Sequence, residues 1–126
     1  MSTDDHDEFD WPGVLVLVDN DPEMALMMLQ NFVETERDTF NKIISESAKA
    51  ADAVDWPMLR KDAHSLKGSS SYLCLKKVTE CAYAMQRASE AKDKAQIDAL
   101  AVRLQRDFEV AFALLTTKLA ELSAGQ

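Results

Sequence analysis

The chain has 126 residues, 47% of them hydrophobic, and its 22 acidic and 14 basic residues give a formal charge of -8. This length and apolar content fit one globular domain and argue against wholesale disorder. The acidic balance argues against nucleic-acid binding, which needs a basic face, and no apolar run approaches the ~20 residues that span a bilayer. With only three Gly and three Pro, the chain is expected to be mostly helical.

The cysteine content indicates a reducing compartment. Cys74 and Cys81, if both lie on helical backbone, are roughly 10 Å apart, which exceeds disulfide reach. Since no signal-peptide pattern opens the chain either, we expect reduced thiols in a cytoplasmic protein. With two histidines in all, no metal site is expected. The starting methionine and polar tail favour a free-standing protein, and a monomer is the default expectation.

The N-terminal segment divides into a tail and a lead-in. Residues 1–12 hold five carboxylates and no Lys or Arg, which predicts a loosely ordered acidic tail. The folded domain is then expected over residues 13–124. Within it, residues 14–19 form the one strand-like apolar run, which we interpret as either a short helix or an extended lead-in packed on the rest of the fold.

The remaining pattern predicts four amphipathic helices. Asp21-Pro22-Glu23 and Asp55-Trp56-Pro57 each combine a capping acid with an early proline, which is typical of a helix start. Apolar periodicity supports helices over 22–50, from 56 through 73, around 78–85 and around 97–119. Short connections favour an all-α, antiparallel up-down four-helix bundle, with the lead-in as an extra N-terminal element.

The histidine of the helix predicted from 56 through 73 falls away from that helix's apolar stripe. At about 100° per residue, the stripe lies roughly opposite His64, which is therefore expected to face solvent. The stripe consists of Leu59, Ala63, Leu66, Ser70 and Leu73. On the same side as His64 fall Arg60, Lys61, Lys67, Gly68 and Ser71.

These neighbours of His64 suit the handling of an anion. A glycine inside a helix costs about 1 kcal/mol relative to alanine, and a side chain at the position of Gly68 would lean over the imidazole. Glycine leaves that flank open to a large partner. Lys67 and Arg60, within one helical turn, can reach a group attached to the ring. Residues 60–77 carry five basic residues and one acid, whereas the rest of the chain is acidic.

The stretch His64-Ser65-Leu66-Lys67-Gly68-Ser69-Ser70, continued by Ser71-Tyr72-Leu73, resembles the signature of histidine-containing phosphotransfer (HPt) domains. Cys74 stands where the family usually has a glycine. The resemblance covers nearly the whole chain after residue 13, and Asp21-Pro22-Glu23 is similar to the start of the family's first long helix. It implies a four-helix bundle and a role as an intermediate in the phosphorelays of two-component signal transduction.

The resemblance also implies roles for individual residues. His64 is expected to accept a phosphoryl group from a receiver-domain aspartate, as phosphohistidine, and to pass it to another receiver. The other expected site residues, which stabilise or orient the phosphoryl group or give it clearance, are Lys67, Gly68, Arg60, Lys61, Ser71 and Gln86. Such a phosphoprotein is a carrier without kinase activity or a cofactor of its own, and Mg²⁺ is expected from the receiver.

The expected partners are receiver domains of response regulators, a hybrid histidine kinase, or both. Leu75, Val14 and Leu17 are candidates for an apolar docking patch around His64, with burial in the core as the alternative. The competing hypothesis for the whole chain is a non-catalytic helical adaptor that binds a receiver or a histidine kinase and regulates it by occupancy. Such modules usually lack the histidine, which favours the phosphorelay.

Overall fold

The computed structural model describes residues 9–124, and each regular element in that range is an α-helix. The helices are α1 (Trp11–Leu17), α2 (Pro22–Ser47), α3 (Trp56–Tyr72), α4 (Lys76–Glu90) and α5 (Lys94–Ala124). Helices α2 to α5 pack against one another in sequence order, and α5 packs back against α2. The short connections between consecutive helices make neighbouring helices antiparallel. The predicted all-α four-helix bundle is confirmed, and α3 and α4 form its most extensive helix pair.

Aliphatic and aromatic side chains from all four long helices fill the centre of the bundle. Leu29, Leu59 and Leu104 are fully buried. Phe40 of α2 and Phe108 of α5 stack in parallel with ring centroids 4.1 Å apart. This packing fixes how each helix is rotated about its own axis, and hence which side chains each one presents to solvent.

The apolar run after the acidic segment is helical, which decides between the two alternatives for residues 14–19. Helix α1 begins at Trp11, inside the segment expected as a tail, because the Asp10 carboxylate accepts a hydrogen bond from the Gly13 amide at 3.0 Å and caps the first turn. Val14 is buried in the core. Residues 1–8, which form most of the expected tail, lie outside the described residues.

Helices α3 and α4 each end in a tight turn made without glycine. At the end of α3 the amide of Leu75 donates to the carbonyl of Ser70, and the amide of Cys74 donates to that of Ser71, both at 3.1 Å. This pair of bonds is the Schellman motif, whose left-handed residue is usually glycine. Here Cys74 takes that position with φ 55°, and Lys92 does the same after α4 with φ 54°.

None of the helices in residues 9–124 is long and apolar enough to cross a membrane. The two cysteines are both free thiols, Cys74 half-buried at the α3–α4 turn and Cys81 buried in α4. Burial raises the pKa of Cys81 to about 11. The Cys81 thiol therefore behaves as part of the core.

Candidate functional site

His64 lies in the middle of α3 with its side chain exposed, as the helical wheel predicts. Leu59, Ala63 and Leu66 of the same helix are fully buried on the opposite side. The core stripe thus anchors α3 and turns the imidazole outward. Because this packing fixes the backbone of α3, a single side-chain hydrogen bond is enough to orient the imidazole ring.

One such contact comes from α4. The Nδ1 atom of His64 lies 3.1 Å from Oε1 of Gln86, within hydrogen-bond distance. Gln86 is itself buried, with 8% of its surface exposed, so its amide is held in place. Because Oε1 is an acceptor, Nδ1 carries the proton in this pair, and Nε2 is left with its lone pair.

The same glutamine lies next to a carboxylate one turn further along α4. The amide of Gln86, four residues before Glu90, helps to lower the pKa of that carboxyl group. Nε of Arg60, on α3, donates to Oε2 of Glu90 at 2.8 Å. The hydrogen bond from Arg60 holds the pKa of Glu90 below its usual value, and the nearby amide of Gln86 acts in the same direction. Arg60 thus faces a carboxylate on the neighbouring helix, and its charge is already partnered.

A second group of side chains near the histidine includes Lys67 and an aromatic ring. Nζ of Lys67 lies 5.0 Å from the centroid of the Tyr83 ring, at cation–π distance. Nη1 of Arg87 donates to the hydroxyl of Tyr83 at 3.1 Å. Lys61 is exposed on α3. The side of α3 that carries His64 therefore has several cations within a few turns, in agreement with the local charge read from the sequence.

Gly68 stands one turn after His64 with free space above it. A Cβ built on Gly68 would meet no atom within 4 Å, so no neighbouring element requires a glycine there. Ser71, one turn further, donates its hydroxyl to the carbonyl of Gly68 at 2.7 Å. That bond uses the single proton of the Ser71 hydroxyl within the helix.

The two serines between Gly68 and Ser71 bond to the helices on either side of α3. Ser69 donates to Oε1 of Glu36 on α2 at 2.7 Å. Ser70, which is fully buried, shares a hydrogen bond of 2.8 Å with Thr79 on α4. Ser69 and Ser70 thus bind α3 to α2 on one side and to α4 on the other.

The proposed docking residues do not share one environment. Val14 and Leu75 are fully buried. The expectation that they line a docking surface is corrected here: α1 folds Val14 onto the core, and the α3–α4 turn points Leu75 inward. Leu17, by contrast, has 58% of its surface exposed and lies next to Val16, which has 69% exposed.

Three polar residues of this region were not predicted from the sequence: Glu90, Tyr83 and Glu36. Glu90 and Tyr83 lie on α4 and Glu36 on α2, whereas the motif lies on α3. For Glu90 and Tyr83, the one signal in the sequence is their spacing of four and three residues from Gln86 on α4. In residues 9–124 no group of three or more His, Cys, Asp or Glu side chains could hold a metal ion.

Comparison with known proteins identifies the family. A family model described as the Hpt domain matches residues 27–125. No curated protein and no solved structure matches the chain significantly. The family match covers most of the chain, including all of α3 and α4, and it coincides with the four-helix bundle that presents His64. The chain belongs to the Hpt domain family.

Proposed function

We propose that this protein is a phosphorelay intermediate in which His64 accepts a phosphoryl group from a receiver-domain aspartate and passes it to another receiver. Hpt domains are phosphocarriers that work with receiver domains in two-component systems. The observation that carries the proposal for His64 is its exposed imidazole. Its Nδ1 is bonded to Gln86, and its Nε2 has no hydrogen-bond partner among residues 9–124.

The chemistry follows from the state of the ring. A neutral imidazole is a good nucleophile near neutral pH, since its reference pKa is about 6.5. Nε2 attacks the phosphorus of the aspartyl phosphate, the N–P bond forms, the P–O bond to the aspartate breaks, and the carboxylate leaves with the bonding electrons. The ring becomes a cation that keeps its proton on Nδ1, and the carbonyl oxygen of Gln86 accepts the hydrogen bond from that N–H group. The reverse sequence passes the group to the next aspartate.

The proposed roles of the neighbours follow from charge and space. Lys67 and Lys61 neutralise part of the phosphoryl charge, with Lys67 leaving the ring of Tyr83 to do so. Gly68 gives clearance for the phosphoryl group and for the partner that delivers it. Phosphoryl transfer depends mainly on alignment and charge stabilisation. We propose that the receiver supplies Mg²⁺ and that this chain contributes no cofactor and no kinase activity.

The test is label transfer from a receiver. A receiver domain from the same organism is loaded with ³²P from acetyl phosphate and Mg²⁺, freed of the donor, and mixed with the wild type and with His64→Gln. The wild type should acquire an acid-labile, alkali-stable label, as expected of phosphohistidine, and the variant should acquire none. His6→Gln is the matched control, since it removes the other histidine of the sequence, and it should label like the wild type.

Label that persists on His64→Gln would contradict the proposal. A wild-type chain that binds phosphorylated receivers but takes no label from any of them would instead be an adaptor. Circular dichroism of His64→Gln would establish that its bundle is intact. Because the side chain is exposed, we expect its helix content and thermal midpoint to match those of the wild type.

A further inference from the structure

Four side chains connect α3 to α4 beside the imidazole, and we call this set the circuit. His64 is hydrogen-bonded to Gln86, Arg60 is hydrogen-bonded to Glu90, and the amide of Gln86 lies beside the carboxylate of Glu90, four residues further along α4. Arg60 is one turn before His64 on α3, and Gln86 is one turn before Glu90 on α4. Helices α3 and α4 therefore each carry two of the four side chains.

The charge of Glu90 favours one arrangement of donors and acceptors in this circuit. A carboxylate accepts hydrogen bonds and donates none, so Glu90 favours the NH₂ group of Gln86 on its side. The carbonyl oxygen of Gln86 must then point to His64. That oxygen accepts, so the proton of the neutral ring lies on Nδ1. The charge of Glu90 therefore determines the tautomer of a ring with which Glu90 has no hydrogen bond in this circuit.

The position of Glu90 is unfavourable for the helix that carries it. Glu90 is the last residue of α4, where the helix dipole favours a cation. Arg87, one turn earlier, follows that rule. A carboxylate that opposes the local preference, is bonded to a guanidinium and lies beside an amide is explained by the circuit, not by the stability of α4.

We infer that Glu90 and Arg60 are positioning residues for phosphotransfer: Glu90 orients the amide of Gln86 so that Nε2 of His64 is the nucleophile, and Arg60 holds Glu90 in place. The inference rests on the proposed function for its kinetic consequence, but its structural part holds for the unphosphorylated protein. It also changes the role expected for Arg60, which acts through Glu90 and not on the phosphoryl group.

The test compares Glu90→Gln with the wild type by ¹⁵N NMR of the histidine rings at a pH where they are neutral. The protonated and unprotonated ring nitrogens give well-separated signals. In the wild type, His64 should be mainly the Nδ1–H tautomer. In Glu90→Gln the new amide both donates and accepts, so Gln86 is free to turn over, and the signals should shift toward the Nε2–H form that histidine prefers in water. The transfer rate should fall by about three- to tenfold, the value of one orienting hydrogen bond.

Glu80→Gln is the matched control, because it makes the same change at an exposed site on the same helix. It should move neither the ring signals nor the rate. Arg60→Gln distinguishes the two roles of the arginine. A positioning role predicts a shift of the His64 signals with a loss of rate, whereas a direct phosphoryl contact predicts a loss of rate with unchanged signals.

Unchanged ring signals in Glu90→Gln would overturn the inference, whatever the rate. If the signals shift but neither the wild type nor the variant takes label from any receiver, the positioning circuit stands and the proposed function fails. If His64→Gln abolishes labelling and Glu90→Gln has wild-type signals, the function stands and the circuit is wrong. The two proposals can therefore fail separately.

Discussion

Gly68 is the residue at which stability and proposed function oppose each other most directly. Glycine destabilises a helix interior relative to alanine by about 1 kcal/mol, and the space above Gly68 is empty to at least 4 Å. Nothing in the packing of residues 9–124 therefore compensates for the glycine. The compensation we propose is access to the imidazole one turn earlier.

We predict that Gly68→Ala raises the free energy of unfolding by about 1 kcal/mol, and that Gly68→Gln raises it by slightly less. Transfer should respond differently. The methyl group of alanine leaves most of the space open, whereas the glutamine side chain leans toward His64 and should slow transfer by about tenfold or more. Urea unfolding and label transfer measure the two effects on the same samples. A Gly68→Gln protein that transfers at the wild-type rate would show that clearance is not the reason for the glycine.

At the scale of single residues, the sequence predicts the candidate site residues on α3 but not the polar residues that neighbouring helices place beside them. The heptapeptide predicted His64, Lys67 and Gly68 because one helix determines their relative positions by its own geometry. Glu90 depends on how α4 is shifted along α3, and apolar periodicity indicates which face of a helix is buried but not this axial shift. The pairing of Arg60 with Glu90 could therefore not be predicted.

At the scale of secondary-structure elements, the turn between α3 and α4 determines the relative placement of these two helices, which carry the circuit. Its left-handed residue is Cys74, with φ 55°. A residue with a Cβ pays about 1 kcal/mol or more in this conformation, whereas glycine does not. The sequence indicated the departure from the family pattern, but not that the turn would keep the Schellman geometry with cysteine in place.

We predict that Cys74→Gly raises the free energy of unfolding by about 1 kcal/mol and leaves transfer unchanged, because the turn already has the conformation that glycine favours. Cys74→Ala is the control, since it removes the thiol while keeping the Cβ. Guanidinium unfolding of both variants measures the difference. Equal stabilities of the glycine and alanine variants would show that the left-handed conformation costs nothing at this turn.

Helix α1 shows a different limit of sequence reasoning. Five consecutive apolar residues without a period fit a buried strand and a short helix equally well. The deciding feature is Asp10, whose carboxylate caps the first turn. In the sequence, Asp10 belongs to the acidic stretch that is predicted as a tail. Only the structure shows that Asp10 caps a helix.

At the scale of the whole molecule, an ion pair joins the first and last helices of the bundle. Arg37 of α2 bonds Glu109 of α5 through two parallel hydrogen bonds of 2.6 and 2.8 Å. The guanidinium also lies 4.5 Å from the centroid of the Phe112 ring. The hydrogen bond from Arg37 holds the pKa of Glu109 below its usual value. The pair therefore links bundle closure to pH.

The sign of this link follows from the direction of the shift. Because the folded pKa of Glu109 lies below the unfolded one, the unfolded chain binds more protons in the acid range, and stability falls as the pH drops through it. We predict that Glu109→Gln loses less stability than the wild type between pH 6 and pH 3, as measured by urea midpoints. Glu34→Gln, which changes an exposed carboxylate of α2, should retain the wild-type dependence. Parallel pH profiles for Glu109→Gln and the wild type would exclude the pair as a contributor.

The circuit around His64 has a further consequence for kinetics and stereochemistry. One ring nitrogen is bonded to α4, so in the proposed role a single nitrogen must serve both the receiver that donates and the receiver that accepts. The two receivers then compete for the same face of α3 and cannot form a ternary complex with the carrier. The proposed relay is accordingly a double displacement with ping-pong kinetics. Since each in-line transfer inverts the configuration at phosphorus, a chiral phosphoryl group should reach the second aspartate with its configuration retained.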